Sequence, residues 1–189
     1  MKKITLVLIL SIVVLTACGH KKSTSSSSKN NKKEIDTELP ALKNAKEKEV
    51  ITKTLVFPKD SQGSQQKQIV TYQGKHFQKL VIEKTSQTED DLKEAIKENG
   101  IEEVQKAIET SFLEDEEYAQ AKTLKGFTSS VTLPNENELL IVSTYDFQQL
   151  DVNKADSYAY FKDMKLKELV KLTPEEYINN LLINGAIEE

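Results

Sequence analysis

The stretch Phe127-Thr128-Ser129-Ser130-Val131-Thr132-Leu133, then Pro134-Asn135-Glu136-Asn137, then Glu138-Leu139-Leu140-Ile141-Val142-Ser143-Thr144-Tyr145-Asp146-Phe147, reads as two strands about one turn. β-branched and aromatic residues fill both arms, and the four residues between them are those that favour chain reversal. The run Leu139 to Val142 is apolar at every position, which predicts a central strand buried on both faces. A β-hairpin of this length needs further strands and a covering layer to be stable.

The strands are found upstream. Val50-Ile51-Thr52-Lys53-Thr54-Leu55-Val56-Phe57 is β-rich and closed by Pro58, Gln68 to Tyr72 reads as a second strand, and Gln73-Gly74-Lys75 turns the chain into Phe77 to Lys84. Three strands on short loops predict an antiparallel meander. The cover follows: Thr88 as N-cap with Glu89, Asp90 and Asp91 opens a helix carrying Leu92, Ala95 and Ile96, which Asn99-Gly100 ends. A second helix runs from Ile101 through Val104, Ile108, Phe112 and Leu113 towards Ala121, with Glu102, Glu103, Lys106 and Glu109 on its wet side. Asp156 to Lys171 reads either as a helix or, through Tyr158, Tyr160 and Phe161, as a short edge strand or an aromatic plug. Thr173-Pro174-Glu175-Glu176 is a capping-box start for a last helix with Tyr177, Ile178, Leu181 and Leu182 inside. The expected fold is α+β, an antiparallel sheet of some five strands, meander plus hairpin, covered on one face by two or three helices.

The N-terminal part has a different composition. Lys2 and Lys3 precede an apolar run from Ile4 to Thr16, the build of a secretory signal peptide, too short for a comfortable bilayer span of about 20 residues. Leu15-Thr16-Ala17-Cys18 resembles the bacterial lipobox, which implies that the chain is cut before Cys18 and that Cys18 carries a diacylglyceryl group on its sulfur. Cys18 is the single cysteine, so no disulfide forms within the chain. From Gly19 to Lys48 the residues are mostly Lys, Ser, Asn and Glu, too polar to offset their ordering entropy. The divisions expected are a signal peptide over residues 1–17, a lipid-anchored disordered tether over 18–48 with an r.m.s. reach of about 30 Å, and one α+β domain over 49–189.

Composition narrows the function. Loss of residues 1–17 leaves 24 lysines against 30 acidic residues, a net charge of −6, which argues against nucleic acid and against adhesion to anionic lipid heads. Every cation is a lysine, so no guanidinium fork is available, and the absence of tryptophan removes the best stacking platform for sugars. Of the two histidines, His20 lies in the tether and His76 in a turn, where a solvated side chain is the simpler reading. Glu114-Asp115-Glu116-Glu117 points around a helix and lacks the ligand spacing of a calcium loop. No hydrolase, zinc or phosphate-binding spacing occurs, so neither catalytic residues, metal ligands nor cofactor are expected. Tyr145, Phe147, Tyr158, Tyr160 and Phe161 are the candidate lining of a ligand cleft between the last hairpin and residues 156–171.

The lipobox, the tether, Ile141-Val142-Ser143-Thr144-Tyr145 followed by Asp146-Phe147-Gln148-Gln149-Leu150, and the terminal Leu172-Thr173-Pro174-Glu175-Glu176 helix together resemble the small YehR-like bacterial lipoproteins. The resemblance implies an α+β domain and transfers no site beyond Cys18. The expectation is a monomeric, noncatalytic lipoprotein, held through Cys18 on the extracytoplasmic face of a bacterial, preferentially Gram-positive, membrane. Its domain is expected to bind a protein, peptide or envelope component. The alternative is a domain enclosing a small ligand, apolar or not, in a pocket between sheet and helices.

Overall fold

The computed structural model describes residues 49–189; Cys18, residues 1–17, His20 and the tether residues up to Lys48 lie outside them. Strands β1 (Val50–Val56), β2 (Gln65–Gln73) and β3 (His76–Gln87) form the meander, and β4 (Phe127–Asn135) and β5 (Glu138–Asp146) the hairpin. A short sixth strand, β6 (Ile187–Glu188), pairs with Leu55 and Val56 at the outer edge of β1. The sheet is antiparallel throughout in the order β4-β5-β3-β2-β1-β6. The fold is thus α+β as expected, with six strands among the described residues: the two-residue β6 is too short to leave a periodic signal.

The helices are α1 (Asp90–Asn99), α2 (Ile101–Glu114), α3 (Glu116–Ala121), α4 (Val152–Ala155), a 3₁₀ helix (Ala159–Met164), α5 (Leu166–Leu169) and α6 (Pro174–Ile183). Alternation along each strand decides which side they cover. Leu55, Val70, Tyr72, Leu80, Ile82, Tyr145, Phe127 and Val131 lie on one face and are buried beneath the helices. Two clusters share that face: Leu55, Leu80, Phe161, Leu166 and Ile178 belong to the larger, and Ile96, Val104, Ile108, Val131 and Leu133 to the smaller. Phe112 packs against both. Each large apolar side chain buried here contributes about 1.5–3 kcal/mol.

Several expectations are corrected by tertiary contacts. Leu139–Tyr145 belongs to β5, but β5 is second from the edge and, among the described residues, helices cover only one of its faces, so Leu140 and Val142 stay half-buried on the other. Thr88 is not an N-cap; Glu89 holds that position, and Thr88 is buried, donating from Oγ1 to the Glu136 carbonyl at 2.7 Å and from N–H to the Asn137 carbonyl at 3.0 Å. It fastens the exit of β3 to the hairpin turn, a contact 48 residues away in sequence. The helix from Ile101 stops at Glu114, because Asp115 leaves the helical conformation and caps α3 by accepting from the Tyr118 N–H at 2.8 Å. Residues 151–172 are neither one helix nor a strand: they form three short turns, the middle one carrying Phe161, which is fully buried. The plug reading is the one the chain adopts.

The Thr173 capping box forms in full, with Glu176 N–H donating to Thr173 Oγ1 at 3.2 Å and Thr173 N–H donating to Glu176 Oε2 at 2.8 Å. Gly126 enters β4 with φ 80°, and a Cβ there would lie 2.6 Å from the Asp146 carbonyl oxygen and 2.7 Å from Leu150 N. Only glycine fits that approach.

Candidate functional site

The aromatic residues expected to line a cleft are held by packing. Phe161 sits edge-on to Phe127 with ring centroids 4.7 Å apart, and Tyr145 and Tyr160 lie 5.3 and 5.4 Å from the same ring. Tyr118 continues the cluster through Tyr160 at 5.7 Å and stacks on Phe112 at 4.1 Å. Phe147 joins a separate group with Phe77 at 5.6 Å, and Phe77 meets Tyr177 at 5.6 Å. Tyr158 and Tyr160 pack half-buried against the core, whereas Tyr145 and Phe161 are inside it. The structure therefore brings Tyr145, Tyr160 and Phe161 together and sets Phe147 apart.

Polar atoms inside this layer are matched. Tyr118 Oη donates to the Ser129 carbonyl at 2.6 Å, the Ser129 and Ser143 hydroxyls lie 2.9 Å apart, and Tyr177 Oη donates to Gln68 Oε1 at 2.6 Å. Among the described residues no buried side-chain nitrogen or oxygen lacks a hydrogen-bond partner. Burial pushes the phenols of Tyr145 and Tyr177 far up and that of Tyr160 up as well, the last opposed by the Ser129 and Ser143 hydroxyls. These groups stay neutral at any physiological pH. Burial also lowers Lys84, whose side chain shares the helical face of β3 with Leu80 and Ile82.

The opposite face of the sheet is built differently. Thr54, Ile69, Val81, Thr144 and Thr128 form one row across β1, β2, β3, β5 and β4, and Val56, Lys67, Glu83, Val142 and Ser130 form the next. The described helices that contact strands do so from the other side: α2 through β4 at Val131 and Leu133, and α6 over β1 and β2. No helix among the described residues covers the rows of this face, and at their end the loop between β1 and β2 reaches it, with Lys59 Nζ 4.0 Å from Glu138 Oε1. Its central charges are paired, with Lys67 Nζ 2.7 Å from Glu83 Oε2. A shallow depression of about 240 Å³, bounded by Val56, Gln65, Lys67, Glu83, Thr85 and Glu189, opens on the same side. The residues of this surface are not among the candidates the sequence suggests, although one signal for them exists. Leu140 and Val142 are apolar at the parity that should meet water in a sheet covered on one side.

The two sheet edges differ as well. On β4, Gln105 of α2 donates from Nε2 to the Val131 carbonyl at 3.0 Å and accepts from the Leu133 N–H at 2.5 Å, imitating a neighbouring strand. Tyr118 fills the next position at Ser129. On β1, β6 pairs with Leu55 and Val56 alone among the described residues, and Lys53 ion-pairs with Glu188 there.

The remaining sequence candidates are dispersed. His76 is exposed at the start of β3, and of the acidic run, Asp115 is engaged as a helix cap. Among the described residues no three His, Cys, Asp or Glu side chains gather so as to hold a metal ion, and no helix is long and apolar enough to cross a membrane.

Nothing among curated proteins matches the chain. A solved structure, the NMR structure of a protein from Streptococcus pneumoniae TIGR4, is similar at 38% sequence identity and a TM-score of 0.69, covering 87% of this chain and 100% of that chain. The model of a small uncharacterised family matches residues 50–181. The match begins at the first residue of β1 and ends within α6, so it takes in the first five strands and the helical layer. The chain belongs to that family.

Proposed function

We propose that this protein is a YehR-like lipoprotein: residues 1–17 direct export, Cys18 carries the lipid, residues 18–48 act as a tether, and the domain that follows binds a protein, peptide or envelope component without catalysis. The extracytoplasmic face of a bacterial membrane is its place. The anchor rests on Leu15-Thr16-Ala17-Cys18 after an apolar run and a lysine pair. Two acyl chains on one residue hold a protein durably where a single chain does not. The observation that carries the binding role is the contrast between the two sides of the sheet. The helical side is filled by interlocking rings with their hydroxyls matched, whereas the other side presents threonines and half-buried aliphatic side chains interspersed with Lys67, Glu83 and Lys79. A face of that kind is suited to recognition of another macromolecule.

Detergent-phase partitioning tests the anchor. The native chain should enter the detergent phase, and Cys18→Ala should move to the aqueous phase. Retention of Cys18→Ala in detergent would mean that Ile4 to Thr16 is the anchor and that the lipidation reading is wrong.

A further inference from the structure

We propose that residues 36–39 of this chain, from the segment that precedes β1, add a strand to the open outer edge of β1. The edge is the first argument. Glu189 N–H donates to the Thr54 carbonyl at 3.0 Å, so the backbone groups of Thr54 turn outward, and by alternation those of Thr52 and Val50 do too. β6 reaches no further than this along β1, and among the described residues nothing takes the outward groups of Val50 and Thr52. The usual shields of an edge are missing there: the strand holds no proline, it pairs with β2 without a bulge, and its single charge, on Lys53, is paired with Glu188. The β4 edge, by contrast, is filled by Gln105 and Tyr118.

The pattern and length of the chain before β1 are the second argument. Between Gly19 and Lys48 the large apolar residues are Ile35, Leu39 and Leu42, and Ile35, Thr37 and Leu39 fall at strand spacing. Set antiparallel with Leu39 opposite Val50, Thr37 meets Thr52 and Asp36 meets Lys53, and the added strand stops where Glu189 holds Thr54. Val50 and Thr52 then exchange both backbone hydrogen bonds with Leu39 and Thr37. Val50, apolar and 59% exposed, gains an apolar neighbour, and Thr37 lies beside the Thr52–Thr71 hydroxyl pair. Pro40 falls just past the ladder, where its missing N–H costs no bond. Residues 40–49 close the loop; ten residues reach about 33 Å when extended, against about 4.8 Å between neighbouring strands. Lys53 already holds Glu188, and Glu175 acts on Tyr72, so charge does not select the segment; backbone pairing and the Leu39–Val50 contact hold it. Attachment to the same chain keeps it at the edge at high effective concentration, ahead of a strand from another molecule. The inference goes beyond the tether reading and leaves residues 19–35 as the free span from Cys18.

Amide exchange of the full-length chain in detergent tests the added strand. In the native chain the Val50 and Thr52 N–H groups should exchange about tenfold more slowly than in Thr37→Pro, which removes the N–H donated to the Thr52 carbonyl. Ser26→Pro, outside the added strand, should exchange as the native chain does. Amides of β2 and β3 serve as the folding control and should be unchanged in both variants. Equal exchange of Val50 and Thr52 in the native and Thr37→Pro chains would overturn the proposal, whether both are fast, as on an open edge, or both slow, as under another occupant. Loss of protection in Ser26→Pro would overturn it as well. Protection that falls on dilution would assign the edge to a second copy and likewise refute the pairing with residues 36–39.

Discussion

Gln105 does more for this fold than its place on a polar helix flank suggests. Its amide is turned towards β4 and occupies both outward-facing groups of Val131 and Leu133, while Glu109, one turn on, accepts a second hydrogen bond from Nε2 at 2.6 Å. An edge strand with free backbone groups is a template for pairing with another chain, and here a side chain blocks it. Gln105→Ala should lower stability by about 1–3 kcal/mol, the usual cost of leaving partly buried backbone groups unmatched. Urea denaturation would read this as a lower midpoint with an unchanged slope. An unchanged midpoint would show that water replaces the amide without loss. Gln105 was invisible as a functional position in the sequence because i, i+4 spacing reports its helix and not the strand across from it.

At the scale of the element, α6 is the one whose start is written locally. Thr173, Pro174 and Glu176 fall within four consecutive residues, and so does every bond of the capping box. Thr173→Ala should cost about 1 kcal/mol. Glu176 adds a pH dependence: its hydrogen bonds, first from the Thr173 backbone N–H and then from the Thr173 hydroxyl, hold its carboxyl below the ordinary range. A carboxyl with a depressed folded-state pKa contributes stability that is present above its unfolded value and lost as pH falls through its folded value. Glu176→Gln should therefore flatten the acid limb of the stability–pH curve between the ordinary glutamate pKa and the lower folded value, which thermal melts across that window would show. A curve still falling as steeply in Glu176→Gln would assign the acid limb to other carboxylates. The helix from Ile101 shows the converse. Its apolar rhythm runs on to Ala121, yet Asp115 divides it, because a cap is decided by one side-chain bond and not by periodicity.

At the scale of the whole molecule, the two clusters beneath the helices meet at Phe112. Its ring stacks on Tyr118 in the larger cluster while its backbone belongs to α2, whose Val104 and Ile108 build the smaller one. Phe112→Ala should uncouple them. Amide exchange in α1 and α2 should then accelerate well ahead of exchange in β2 and β3, whose own pairing is untouched. Uniform acceleration across both would show one cooperative unit that does not depend on Phe112 as a bridge.

The sequence by itself determined the features whose causes are local: β1, β2, β3 and the hairpin, whose residues favour extended backbone and whose turns carry Gly74 and Asn135 to Asn137, and the capped start of α6. It also determined the candidate anchor, since the lipobox is contiguous at residues 15–18. Only the tertiary structure decided which face of the sheet the helices cover, that Thr88 reaches the hairpin turn, that β5 lies between β3 and β4, and that Phe161 plugs the core. The reason is physical. Alternation in a strand tells which residues share a face, but both faces here carry apolar side chains, so which one the described helices cover, and that Ile69, Val81 and Val142 lie on the other, depends on where distant helices pack.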